Sequence, residues 1–137
     1  MERKKKVNIG IIVHVGELAS AASYSALLFA KAAIDQGHQI YRIFFYHDGV
    51  ENANAFSVIP EDSFDLRPEW ISLHKNHDVE LAVCIGAAHR RGIKTDITDE
   101  ISSKNLEKDV DSAFELAGLG QLADMTINAD RVITFDA

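Results

Sequence analysis

The chain's one cysteine, Cys84, lies near the end of the apolar run Val79 to Gly86 and just before Ala87-Ala88-His89-Arg90-Arg91-Gly92. That is where a buried strand leaves its sheet and a segment with basic residues begins, the position at which α/β proteins set their reacting groups. The chemistry a thiol offers at such a place is that of a nucleophilic thiolate. An ordinary thiol, with a pKa of ~8.5, gains from a local positive field. A helix starting after Cys84 aims the free N–H groups of its first turn at the sulfur and is the expected main support. Arg90 lies about 9 Å along such a helix at ~1.5 Å per residue, so only a side chain directed back toward the N-terminus approaches. An imidazole can exchange a proton near neutral pH, which makes His89 a candidate proton carrier, while Arg91 reads equally well as part of a solvated face. No acyl-transfer triad is evident. A second reading stands beside this one, because an unpaired cysteine in an apolar strand commonly serves as a small core hydrophobe.

Tyr46-His47-Asp48-Gly49 is a second candidate wall of the site, since it too follows a strand's carboxyl end. Turn formation suffices to explain Asp48 and Gly49, and Asn52 and Asn54 are expected to order the loop through bonds to backbone. Gly118-Leu119-Gly120-Gln121-Leu122-Ala123 fits a relaxed dinucleotide fingerprint, yet it lies late in the chain and lacks the downstream acid, so it reads as a helix entry. His74 and His77 share a helical face without a clear third ligand. No cofactor and no metal are expected, and Trp70 reads as core or interface.

The elements that must position these residues alternate between strand and helix. Val7 to Val15 is β-branched and almost continuously apolar, the pattern of a strand buried on both faces, and is expected to be the central one. Ala21 to Gln36 follows as a helix capped by Gly37, then Gln39 to Tyr46 as the second strand. After a long connection Pro68 opens a helix over Glu69 to Asn76, and Leu81 to Ile85 is the third strand. A helical start over Ala87 to Arg91, a short helix over Thr98 to Lys104, and a solvated segment over Lys104 to Asp109 are expected next. A short apolar piece at Ala113 to Ala117, a helix over Leu119 to Ala129 and a strand over Arg131 to Phe135 complete the chain. This alternation implies right-handed crossovers and a three-layer α/β/α sandwich with a mainly parallel sheet of about five strands.

Composition narrows the class. A chain of 137 residues with 47% hydrophobic and 26% charged residues suits one domain, 1–137, with a continuous core. One cysteine forms no internal disulfide, and Met1-Glu2-Arg3-Lys4-Lys5-Lys6 leads straight into a strand, so the reducing cytoplasm is the expected compartment. No apolar stretch is long enough to cross a bilayer. The net charge of −7 argues against direct nucleic-acid binding, and the basic cluster at Arg3 to Lys6 reads as a solvated end.

Three separated blocks carry a family resemblance: Phe44 to Asn54, Cys84 to Ile93, and Gly118 to Leu122 with Ala129 to Phe135. Together, in this order and over nearly the whole chain, they resemble the DsrE/TusD sulfurtransferase subunits. The resemblance implies a cytoplasmic sulfur relay in which a cysteine, here Cys84, accepts sulfane sulfur as a persulfide from an upstream donor. It implies paralogous subunits of TusB/TusC or DsrF/DsrH type and transfer to a TusE/DsrC-like acceptor, in tRNA 2-thiouridine synthesis or in sulfur oxidation. The chain departs from the family pattern at Gly16 to Ser20, Gly86 and His89, so the loop facing the thiol is expected to differ. An open sheet edge does not enclose a persulfide, so a homo- or hetero-oligomer is expected to complete the pocket. The contrasting reading is a noncatalytic α/β assembly or small-molecule-binding module in which Cys84 merely packs.

Overall fold

The structure, a computed structural model, describes residues 5–95 and 109–137. The apolar, β-branched runs form a sheet of five parallel strands: β1 (Asn8–Val13), β2 (Gln39–Phe45), β3 (Leu81–Cys84), β4 (Phe114–Ala117) and β5 (Arg131–Phe135), ordered β4-β3-β2-β1-β5. The interior strands are buried on both sides, which is why their sequences lack polar alternation. The strand at the centre is β2; β1 is interior but lies between β2 and β5. The apolar piece at Ala113 to Ala117 proves to be edge strand β4, paired with β3 in the register Leu81↔Phe114 to Cys84↔Ala117.

Helices cover both faces. Helix α1 (Ala22–Asp35) ends in a Schellman arrangement, with Gly37 at φ +85° donating to Ile34 and His38 donating to the Ala33 carbonyl. Helix α2 (Arg67–His77) carries Pro68 in its first turn and buries Trp70, whose ring meets Phe45 edge-on at 5.2 Å. Phe29 of α1 packs on Phe135 of β5, so these two helices share the face presented by Phe45 and Phe135. Helix α4 (Leu119–Asn128) covers the opposite face, where Arg42 reaches Asp124 and the Met125 side chain occupies the space that a Cβ on Gly10 would fill.

Two connections differ from their expected form. A 3-10 helix, His47–Ala53, replaces a simple turn after β2, and helix α3 (Ile85–Arg90) begins at Ile85 rather than Ala87. Cys84 is therefore both the last residue of β3 and the N-cap of α3. The expected helix over Thr98 to Lys104 lies outside the described residues, as does most of the segment from Lys104 to Asp109. No helix among the described residues is long and apolar enough to cross a membrane.

Candidate functional site

Strand register sets the geometry. Val13, Phe45 and Val83 lie level across β1, β2 and β3, and Phe135 is level with Val13. One residue further on, the ladder continues: Tyr46 N–H donates to the Val13 carbonyl at 2.9 Å and His14 N–H to the Phe135 carbonyl at 3.0 Å. Tyr46 keeps extended backbone, φ −133° and ψ 162°. The carboxyl edge thus carries one row, Ala117–Cys84–Tyr46–His14–Asp136. Side chains in a row of a parallel sheet project to one face. Here it is the α4 face, because Tyr46 packs on Phe44 and alternates with Arg42 along β2.

Cys84 is buried, with 5% of its surface exposed, and has φ −65° and ψ 116°. The N–H groups of the first turn of α3 follow directly on it. A Cβ on Gly86 would meet nothing within 4 Å, so the surface beside the thiol is open at this residue.

The other expected support groups are arranged differently from one another. His89 turns to Thr95, with Nε2 2.7 Å from Oγ1. The Arg90 side chain is exposed and has no hydrogen-bond or ion-pair partner among the described residues. Arg91, read equally well as a support for the thiol or as part of a solvated face, donates from Nε to Asp48 Oδ1 at 2.8 Å and from Nη1 to the Ala87 carbonyl at 3.0 Å. This pair ties the end of α3 to the 3-10 helix and so joins the Cys84 wall to the Tyr46–Asp48 wall.

The second wall is held from beneath by Asn52, which is fully buried. Its amide Nδ2 lies within 3.0–3.2 Å of the Gly49 carbonyl, the Val15 carbonyl and Ser23 Oγ, and its Oδ1 accepts from Trp70 Nε1 at 3.3 Å. Gly49 is required where it stands, because a Cβ there would run into the Val13 carbonyl. Asn54 accepts the Phe56 N–H at 3.0 Å, the loop-ordering role expected of it. Along the same rim a cleft of 330 Å³ is lined by Glu17, Leu18, Asp48 and Glu51 among others. Burial raises the Glu17 carboxyl above its ordinary value, against the opposing bond from Leu66 N–H.

His14, which composition and motif did not single out, completes the row. Its ring lies 5.9 Å from Tyr46 and 4.9 Å, edge-on, from His47, and its Nδ1 is 3.3 Å from Asp136 Oδ2. The available signal was positional, since His14 follows the first strand as Tyr46 follows the second. Gly118 proves to be a helix entry, its N–H bonded to Gln121 Oε1, and His74 is tied to the Val79 carbonyl. Among the described residues no three His, Cys, Asp or Glu side chains are gathered as metal ligands would be.

Residues 7–135 match the DsrE/DsrF-like family. A sulfurtransferase TusD homolog of Vibrio parahaemolyticus is 42% identical over 126 residues, spanning 91% of this chain and 95% of that protein. The sulfurtransferase TusD of Proteus mirabilis is 43% identical over 114 residues, covering 81% and 85%. The crystal structure of the ychN protein from E. coli has the same fold, with a TM-score of 0.73, 21% identity and coverage of 94% and 99%. With its matched residues running from β1 through Cys84 to β5, the chain belongs to the DsrE/DsrF-like family and is a sulfurtransferase.

Proposed function

We propose that this chain is the cysteine-bearing subunit of a cytoplasmic sulfur relay, taking sulfane sulfur onto Cys84 as a persulfide and passing it to a TusE/DsrC-type acceptor. The observation that carries the reading is the position of the chain's one cysteine, at the carboxyl edge of β3 and the start of α3, in a chain about 40% identical to named sulfurtransferases. Residues 1–137 act as one domain, and paralogous subunits of TusB/TusC or DsrF/DsrH type cover the open edge. Its relatives carry both TusD and DsrE names, so the relay serves either tRNA 2-thiouridine synthesis or sulfur oxidation. Tyr46 and Asp48 form the facing wall, His89 and Arg90 are the proposed support groups further along α3, and neither metal nor organic cofactor takes part.

The step needs no external oxidant. The Cys84 thiolate attacks the outer sulfur of a donor persulfide, an S–S bond forms as the donor's S–S bond breaks, and the electron pair leaves on the donor thiolate. Intact-mass analysis after exposure to a persulfide donor tests it. A one-sulfur adduct on Cys84, removable by an acceptor thiol and absent from a normally folded Cys84→Ser variant, is expected. Undiminished loading of Cys84→Ser would overturn the assignment, and an inert thiol in the assembled complex would favour a purely structural cysteine.

A further inference from the structure

We propose that His14, oriented by Asp136, is the proton donor to the thiolate that leaves when sulfur is transferred onto Cys84. The proposal rests on the persulfide reading of Cys84 and deepens it. Sulfur exchange proceeds by attack on one sulfur with departure of another, so the three sulfurs lie nearly in line in the transition state. Two partly formed S–S bonds, each somewhat longer than ~2.05 Å, span about 4–5 Å, which is one strand spacing of ~4.8 Å. A sulfur leaving along the row therefore arrives over a neighbouring strand end. On one side that neighbour is Ala117, buried and apolar, with no proton to offer. On the other side stand Tyr46 and, one strand further, His14.

His14 has the attributes of the donor. Its side chain is 24% exposed, and its ring lies 5.9 Å from that of Tyr46, the strand end over which the sulfur leaves. Facing a carboxylate, Nδ1 is the nitrogen that carries the bonded proton, which leaves Nε2 to give or accept one. The groups around it are Asp136 after β5, with Tyr46 and His47 after β2. The Ala137 N–H first, and then His14, hold the Asp136 carboxyl below its ordinary range, so it is a charged partner for the imidazolium. His47 is the competing histidine, but it lies outside the row, exposed and at φ +49°, and its ring meets His14 only edge-on. Proton and electrons balance: neutral His14 takes the Cys84 proton by way of solvent or Tyr46, and the imidazolium returns it to the departing donor thiolate. The sum is Cys84–SH plus R–S–SH giving Cys84–S–SH plus R–SH.

A proton donor matters only when the leaving thiolate is basic, and that provides the test. Single-turnover loading of Cys84 is followed by mass spectrometry across pH 5–9 with an alkyl persulfide and with an aryl persulfide, whose thiolate leaves unaided. For His14→Gln we expect loading from the alkyl donor to fall by ~10²-fold at pH 7, with little change for the aryl donor. Asp136→Asn, at an exposed carboxylate, is expected to lose part of the alkyl-donor rate, with the aryl-donor rate and the fold unchanged. His47→Gln is expected to keep the wild-type dependence on leaving group. Equal losses with both donors, an unaltered pH profile in His14→Gln, or the donor-dependent loss appearing in His47→Gln instead would each overturn the inference while leaving Cys84 as carrier. Loading of Cys84→Ser in the same assay would instead overturn the reading on which the inference rests.

Discussion

Asn52 shows how a single buried amide can hold a reactive edge in place. Its two amide protons serve three acceptors, and its oxygen is the partner of the buried Trp70 indole N–H. Ser23 Oγ also donates to the Val15 carbonyl at 2.6 Å, so the loop after β1, the 3-10 helix and α2 meet at one polar point inside the core. Asn52→Ala leaves several of these groups without partners, and a buried unsatisfied group costs about 1–3 kcal/mol. A loss of about 2–4 kcal/mol in urea denaturation is therefore expected, and a loss below about 1 kcal/mol would mean that water replaces the amide. The sequence marked Asn52 as a loop-ordering residue because its side chain can imitate backbone. It did not mark His14, and it left Arg91 between a support for the thiol and a solvated face, because their significance depends on which strand end lies beside which. Cys84, by contrast, was conspicuous at once as the one thiol at a strand-to-helix junction.

At the scale of elements, α4 is fastened to the sheet by charge as well as by Met125. Arg42 Nη1 donates to Asp124 Oδ2 at 3.1 Å and to the Gln121 carbonyl at 2.7 Å, while its Nε donates to Glu80 Oε2 at 2.6 Å. The Tyr41 hydroxyl donates to the same Asp124 oxygen at 2.7 Å. The Tyr41 bond, and then the Arg42 bond, hold the Asp124 carboxyl below its ordinary value of 3.8, while the Asp124 bond raises the Tyr41 hydroxyl above 10.0. A lowered carboxyl contributes stability that is complete above its unfolded value and is lost as pH falls through the folded one. A raised phenol contributes below its unfolded value and loses that contribution as pH rises through the folded one. Loosening of α4 is thus expected below about pH 3.8 and again above pH 10.0. Urea midpoints should fall at both extremes in the wild type and be flatter there in Asp124→Asn; parallel curves for the two proteins would refute this fastening. The helices and most strand limits were legible from periodicity and from caps such as Gly37. The order of the strands was not, because nearly unbroken apolar runs reveal burial on both faces without naming neighbours, which is why β1 rather than β2 was expected at the centre. Edge strand β4 is four residues long and has Glu115 exposed, too short and too mixed to declare itself.

For the molecule as a whole, the question is what covers the open edge during transfer. Leu18, Tyr24 and Phe64 are exposed large apolar residues that line one cleft of 360 Å³, and Tyr24 and Phe64 are in ring contact at 5.4 Å. They are contiguous rather than scattered, and a contiguous exposed apolar patch is a usual mark of a protein interface. Leu18 also lines the neighbouring cleft that contains Asp48, so the patch reaches the rim of the Cys84 site. A partner seated there would shield a persulfide from solvent without touching the core, which separates assembly from chemistry. The double variant Tyr24→Glu with Phe64→Glu places like charges on the patch at exposed positions. It is expected to fold normally and to load Cys84 from a small persulfide donor at the wild-type rate. Coexpressed with the paralogous subunits and examined by native mass spectrometry, it is expected to run free of them, whereas the wild type is expected to copurify as a hetero-oligomer. Copurification undiminished by the two charges would place the subunit contact on another face, such as the one bearing Leu119 and Ile127 on α4.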